Sequence, residues 1–220
     1  DGAVVHELMK RDLPGYAELV LAEVEQQGHD NRTFRLGNDL LVRLPSAGCY
    51  ALKVPIEQAL LRQLEKYLTV SIPVPIALGK ASEKFPYPYS IYRWIPGKSL
   101  SDLVLTPHEE KMIARDLAQF LKELHKAPTT GGPEPGLHNW WRGAHQSFYD
   151  TQCRVQLAQL KTSLDSKIDT KKALNLWERA AESYWELAPV WLHGDFYPGN
   201  ILLDNNNKLT GIIDFGCAAI

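Results

Sequence analysis

Four residues in the C-terminal part of the sequence, His193, Asp195, Asn200 and Asp214, have the types and spacing that phosphate chemistry requires. They lie in Val190-Trp-Leu-His193-Gly-Asp195-Phe-Tyr-Pro-Gly-Asn200-Ile-Leu-Leu-Asp204 and in Leu209-Thr-Gly-Ile-Ile-Asp214-Phe-Gly216. Two apolar runs, Ile201 to Leu203 and Gly211 to Ile213, flank the polar cluster Asp204-Asn205-Asn206-Asn207-Lys208. That pattern predicts a hairpin of buried strands closed by an Asn-rich turn. His193, Asp195 and Asn200 enter the hairpin on one side and Asp214 leaves on the other, so the fold-back draws Asp195, Asn200 and Asp214 toward one point. Two carboxylates and an amide oxygen suit Mg2+ carrying the phosphates of a nucleotide, because Mg2+ keeps most of its shell for water and phosphate oxygens. Any one of these residues alone would read as an ordinary turn residue. Together, with His193, Phe215 and Gly216 at these spacings, they point to phosphoryl transfer.

The motif HGDFYPGN followed by IIDFG resembles the aminoglycoside phosphotransferase family, the small-molecule branch of the protein-kinase-like fold. Protein kinases carry H-R-D-x-x-x-x-N and then D-F-G at similar separations. Gly194 stands where those kinases place an Arg that answers a phosphorylated activation loop, so no such switch is expected. The resemblance implies an α+β, two-lobe protein-kinase-like fold. Residues 1–95 would form a nucleotide-binding lobe with a small antiparallel sheet and one major helix. Residues 96–220 would form a mostly helical lobe carrying the catalytic loop and the acceptor side. By the same resemblance Asp195, with His193 beside it, orients or deprotonates an acceptor hydroxyl, while Asn200 and Asp214 hold Mg2+ on ATP or GTP.

The elements that must position these groups begin with a helix over Val4 to Arg11, ending before Pro14. Strands are expected over Leu19 to Val24, Thr33 to Leu36 and Leu40 to Leu44, joined by tight turns into an antiparallel sheet. The turn GHDNRTF is similar to the family's nucleotide loop, which implies that backbone N–H groups and the small side chains of Asn31 and Thr33 approach the triphosphate. A single glycine there is a weak signal by itself, and an ordinary hairpin turn explains it equally well. Arg43, in a VRLP segment, falls where the fold family expects a third-strand lysine; its guanidinium can still clamp phosphates or hold a carboxylate in two-point fashion. Lys53 is the spare cation, outside the strand. A helix is expected over Ala51 to Leu68 with Pro55 in its first turn. Glu57 heads its apolar stripe of Leu61, Leu64 and Leu68 and needs a cationic partner, which Arg43 would supply. Ile72 to Ile76 reads as an extended connector, and Tyr89 to Ile95 as a strand running into a Pro-Gly stop. The resemblance puts Tyr92 at the gate of an adenine pocket, with the C=O of Arg93 and the N–H of Ile95 on the adenine edge.

Further on, Ser99 to Leu103 reads as a helical turn, and Thr106-Pro107-His108-Glu109 as a capping box opening a helix to about His125. A Pro/Gly/Thr-rich loop, 127–136, leads into Trp140, Trp141, Phe148 and Tyr149. These aromatics either line an acceptor cleft or anchor a buried helix. Amphipathic helices are expected over Phe148 to Leu164 and Thr170 to Leu187, the second with Glu178, Glu182 and Glu186 on one face, which reads as a solvated face.

Composition narrows the classes. Hydrophobic residues at 45% and charged residues at 23% are the proportions of a globular protein. A net charge of −2 gives no footprint for nucleic acid or an anionic membrane. No apolar run reaches the length of a membrane span. Cys49, Cys153 and Cys217 are isolated, which suggests reduced thiols and a cytoplasmic location. Members of the resembled family continue past the equivalent of Ile220 into helices that complete the acceptor pocket, so about 70 or more further residues are expected. The expected partner is a small-molecule hydroxyl acceptor, with an aminoglycoside-like antibiotic first. Macrolide, homoserine, choline and sugar-amine kinases share the same skeleton. A non-catalytic nucleotide-binding module is the alternative of a different class, and the sequence leaves oligomeric state open.

Overall fold

The computed structural model describes residues 2–25, 27–162 and 167–220. Helix α1 (Gly2–Asp12) precedes strands β1 (Leu21–Glu23), β2 (Asn31–Leu36) and β3 (Leu40–Pro45). Helices α2 (Gly48–Ala51) and α3 (Val54–Leu64) follow, then β4 (Pro75–Gly79) and β5 (Tyr89–Arg93). The five strands form one antiparallel sheet in the order β1-β2-β3-β5-β4. The two-residue period of a strand sorts its side chains. Phe34, Leu36, Val42, Leu44, Tyr89 and Ile91 bury against Val5, Leu8 and Met9 of α1. The register Asn31↔Pro45, Thr33↔Arg43 and Leu41↔Tyr92 puts Asn31, Thr33, Arg43 and Tyr92 on the opposite face.

Three expectations change here. β2 starts at Asn31, two residues before the expected Thr33, because Asn31 and Arg32 already pair with Pro45 and Leu44. The expected helix over 51–68 is split into α2 and α3, with Leu52 and Lys53 between them. A continuous helix would drive the Pro55 ring into the carbonyl of Ala51, whereas in the first turn of α3 the missing N–H is harmless. The connector at 72–76 runs into β4, an edge strand, where Pro75 removes no interior ladder bond.

The end of α1 is pinned by Asp12, whose carboxylate accepts bonds from Arg11 Nε (2.6 Å), the Lys80 N–H (3.0 Å) and the Tyr89 hydroxyl (3.0 Å). The Arg11 guanidinium, helped by Lys80 and Tyr89 against an opposing effect of burial, holds the Asp12 carboxyl at about 2. A carboxyl depressed in the folded state stabilises above its unfolded value, and that contribution fades as pH falls through the folded one. Asp12→Asn is therefore expected to lower Tm at pH 7, with the gap to wild type shrinking as pH drops from about 4 toward 2. Thermal melts across that window check this, and a gap independent of pH contradicts it.

Beyond β5 come β6 (Lys98–Ser99), α4 (Pro107–Lys126), α5 (Asp150–Thr162), α6 (Thr170–Ala181), β7 (Ile201–Leu203) and β8 (Leu209–Ile212). The capping box of α4 forms: the Glu109 N–H donates to Thr106 Oγ1 (3.3 Å), and Glu109 Oε2 accepts the Thr106 N–H (2.7 Å). β6, β7 and β8 make a second antiparallel sheet. The β7–β8 turn is closed by Asp204 Oδ1, which accepts from the N–H groups of Asn206 (2.7 Å) and Lys208 (2.9 Å). Asn207 takes a left-handed φ of 57° and donates to Glu109 Oε1 (2.7 Å), tying the turn to the start of α4. Leu60, Leu61 and Leu64 of α3, Phe120 and Leu124 of α4, and Tyr92, Trp191, Ile212 and Phe215 share one buried cluster.

The chain divides into two compact units, Asp1–Arg142 with Val190–Ile220, and Gly143–Pro189. In the second, Arg154 joins α5 to α6 by bonding Asp150 (3.0 Å) and Glu178 (3.1 Å), and Trp177 Nε1 donates to Asp150 Oδ1 (2.9 Å). α5 begins at Asp150 after a 3-10 turn over Gln146–Tyr149; positions 163 and 164 of the expected helix lie outside the described residues. α6 stops at Ala181 rather than Leu187. There the Ser183 hydroxyl donates to the Ala180 carbonyl (2.7 Å), competing with helix continuation. Glu186 is consequently off the helix, and the expected acidic face is not built. Trp185 is 65% exposed. Among the described residues, no helix is long and apolar enough to cross a membrane.

Candidate active site

The β7–β8 hairpin is the frame of the site. Ile201 pairs with Ile212, and the Ile213 N–H donates to the Asn200 carbonyl (2.9 Å), so Asn200 and Asp214 sit at the same end of the hairpin. Asn200 Nδ2 donates to the Asp195 carbonyl (2.9 Å) and to Asp195 Oδ2 (3.1 Å), which fixes the Asp195 side chain against its own loop. With the nitrogen so engaged, the amide oxygen of Asn200 is the atom that can join Asp214 as a ligand.

His193 is buried, at 3% exposure. Its Nε2 lies 3.0 Å from the Ile213 carbonyl and must carry the proton; its Nδ1 accepts the Asp195 N–H at 3.3 Å. Burial, outweighing the pull of Asp214, lowers its pKa and keeps the ring neutral. Both ring nitrogens are thus committed to holding the Asp195 loop against the Asp214 loop. The two loops are also zipped by the reciprocal backbone bonds of Leu192 and Ala219 (2.7 and 3.1 Å). Gly194 completes the join. Its φ is +80°, and a Cβ there would run into the Cys217 carbonyl. The glycine is needed because the backbones approach too closely for any side chain. Arg142 Nε donates to the Gly194 carbonyl (2.9 Å) from the segment after Trp141.

Asp214 adopts a left-handed conformation, φ 63° and ψ 66°. Non-glycine residues rarely do so, and such strain collects at functional positions. Arg43, on the sheet face it shares with Thr33, bonds Glu57 Oε1 (3.2 Å) and Asp214 Oδ1 (3.1 Å). Glu57 also accepts the Tyr92 hydroxyl (3.0 Å). Burial alone would lower the Arg43 pKa, but Asp214 and Glu57 outweigh it and raise the group, so it stays charged. Burial would likewise raise the Asp214 carboxyl; Arg43 and Lys53 reverse this and hold it below its ordinary value, as a carboxylate.

The structure therefore brings His193, Asp195, Asn200, Asp214, Arg43, Glu57 and Tyr92 into one connected cluster. Asn31 and Thr33 share the sheet face of Arg43, and the Gln27 side chain closes their turn by binding both the N–H (2.8 Å) and carbonyl (2.9 Å) of Thr33. Tyr92 is buried in the core at 1% exposure, with its hydroxyl turned to Glu57. Arg93 and Ile95 lie at and just beyond the end of β5, outside the cluster; the Arg93 N–H donates to the Val74 carbonyl (2.9 Å). Lys53, set aside as a spare in the sequence, is buried and pairs with Asp30 Oδ2 at 2.6 Å. The signal for it was Pro55, which forces the chain to break just where Lys53 turns inward. Cys49, Cys153 and Cys217 are free thiols.

One carboxylate and one amide oxygen are hard donors that fit Mg2+ and leave most of an octahedral shell to water and phosphate. Fold and cluster together are those of a kinase-like domain. Residues 23–220 match the model of the phosphotransferase enzyme family, and the chain belongs to that family. A solved complex of an aminoglycoside 2″-phosphotransferase with GDP and kanamycin superposes with a TM-score of 0.70 at 25% identity, covering 99% of this chain and 73% of that one. A type I macrolide 2′-phosphotransferase has the same fold, with a TM-score of 0.64 at 20% identity over 100% of this chain and 72% of that one. Among curated proteins, YcbJ of Bacillus subtilis (strain 168), described as uncharacterized, is 37% identical over 110 residues, 46% of this chain and 31% of its own length. The chain thus matches under a third of that relative.

Proposed function

We propose that the protein moves the γ-phosphoryl group of ATP or GTP to a hydroxyl of a small molecule, with an aminoglycoside-like antibiotic as the first candidate acceptor. The observation that carries this is the hairpin-borne cluster, in which Asn200 holds the Asp195 carboxylate while Arg43 meets Asp214. Asp195 Oδ2 is engaged by Asn200, which leaves Oδ1 to orient the acceptor hydroxyl and take its proton as the hydroxyl oxygen bonds the γ-phosphorus and the bond to the departing nucleoside diphosphate breaks. His193 is a positioning residue: neutral, with both nitrogens bonded, it does not itself receive that proton. Asn200 and Asp214 would hold Mg2+, which neutralises phosphate charge. Asn31 and Thr33 face the triphosphate, and Arg43, kept in place by Glu57, faces its phosphates. The Arg93 carbonyl and the Ile95 N–H take the edge of the base at the hinge between a lobe ending near residue 95 and the rest. The GDP bound by the aminoglycoside phosphotransferase supports a nucleotide site of this kind. Positioning and electrostatics would carry most of the rate, as in other phosphoryl transfers.

A macrolide or another neutral alcohol is the second reading. It is favoured by the aromatic side chains of Trp140 and Trp141, which offer apolar rather than anionic surface on the segment whose Arg142 bonds the Gly194 carbonyl beside Asp195. The test is formation of ADP or GDP by the full-length protein across a panel of aminoglycosides, macrolides and simple alcohols, with Asp195→Ala as control. Acceptor-dependent turnover abolished in the variant supports transfer. Nucleotide binding with no such turnover supports a non-catalytic module.

A further inference from the structure

We propose that Lys53 is a second phosphate-binding cation of this site, exchanging its Asp30 partner for a phosphate oxygen of the nucleotide, a role that rests on the phosphotransferase reading above. Lys53 is 4% exposed. An ammonium so buried requires a partner, and it has one, in Asp30 Oδ2 at 2.6 Å. Burial works against its charge, but Asp30, Asp214 and Cys217 outweigh burial and keep it protonated.

Its position links the two elements that phosphates must lie between. On one side it approaches the segment after Asp214: a Cβ built on Gly216 would stand 3.0 Å from Lys53 Cδ and 3.2 Å from its Nζ. A side chain at 216 would crowd the end of the lysine by a few tenths of an ångström. On the other side Asp30 ends the β1–β2 turn, which the residues after β3 clamp. The Ser46 N–H donates to the Asp30 carbonyl (2.9 Å), Ser46 Oγ donates to the His29 carbonyl (2.8 Å), and the Tyr50 hydroxyl meets His29 Nδ1 (3.0 Å). The Tyr50 ring also stands 5.6 Å from Lys53 Nζ.

The two cations of the cluster are not equally committed. Arg43 already serves two acids, Glu57 and Asp214. Lys53 serves one, and the side chain of that acid is 29% exposed, so Asp30 can return to water at modest cost when a stronger anion arrives. A compact ammonium on a flexible stem is suited to following a phosphate as a point charge.

The test compares the Mg2+-supported binding of ATP, ADP and adenosine, and of the guanine series, to wild type, Lys53→Met and Lys53→Met/Asp30→Asn by titration calorimetry. Methionine keeps the apolar stem, and the double variant leaves no unpaired acid should the single one fail to fold. Triphosphate affinity should fall about 10–100-fold in either variant, the scale of one charged hydrogen bond, diphosphate affinity less, and nucleoside affinity not at all. Unchanged triphosphate binding, or an equal loss across the series, overturns the assignment while leaving the phosphotransferase reading intact. If wild type binds neither series, that reading falls and Lys53 with it.

Discussion

Asp195→Asn is expected to lower acceptor phosphorylation by about 10²–10⁴-fold, the range for removing a general base, while nucleotide binding stays near wild type. The substitution is close to isosteric, and the new amide oxygen can still accept from Asn200 Nδ2, which now bonds Asp195 Oδ2 at 3.1 Å. The neighbouring contacts that hold the loop are made by other groups: the His193 ring, the Leu192–Ala219 backbone pair and the Arg142 guanidinium. What the variant loses, in the proposed role, is the negative charge that would face the acceptor. Initial rates with saturating acceptor, alongside calorimetric nucleotide affinities, separate the two effects. A variant with nearly full turnover would remove Asp195 from the reaction. A matching loss of nucleotide affinity would make its role structural.

The second large effect is on stability. Arg43→Ala should destabilise the fold by about 3–5 kcal/mol, the cost of breaking a buried ion pair by removing one partner. The buried acid Glu57 would be stranded, while Asp214, with its side chain 33% exposed, keeps Lys53 and access to water. Glu57 is 5% exposed and Asp214 is held as a carboxylate largely by this guanidinium. Arg43→Lys should recover part of the loss, since a single ammonium can face one carboxylate well but lacks the fork that reaches both. Denaturant unfolding of the three proteins gives the comparison. Alanine and lysine variants as stable as wild type would mean that the Arg43 network contributes little to folding.

The sequence was most legible where function and local structure coincide. The β7–β8 hairpin could be read because two apolar runs around an Asn-rich turn leave marks at short range, and the Thr106–Glu109 capping box for the same reason. That Glu57 needs a cation was legible because it heads an apolar helical stripe, and the family resemblance pointed to Arg43 as the partner. Other features depend on distant partners. The partner of the Tyr92 hydroxyl, Glu57, is set by the fold, where the tyrosine ring packs into the core. Lys53 became visible only in the fold, where the break before α3 turns it inward to Asp30. The early end of α6 turned on a serine hydroxyl competing for one carbonyl, which propensity over a window does not register. The Gln27 side chain that shapes the β1–β2 turn is likewise a residue type with no turn signature of its own.

The most direct test of the account is the metal dependence of triphosphate binding. Wild type and Asp214→Ala should be titrated with ATP and GTP, each with Mg2+ and with chelator. Wild type should bind at least one triphosphate more tightly with Mg2+. The variant, having lost a ligand and released Arg43 toward the phosphates, should lose most of that dependence. Retention of full Mg2+ dependence in Asp214→Ala, or binding by wild type that ignores Mg2+, would contradict a site in which this hairpin delivers metal to a nucleotide.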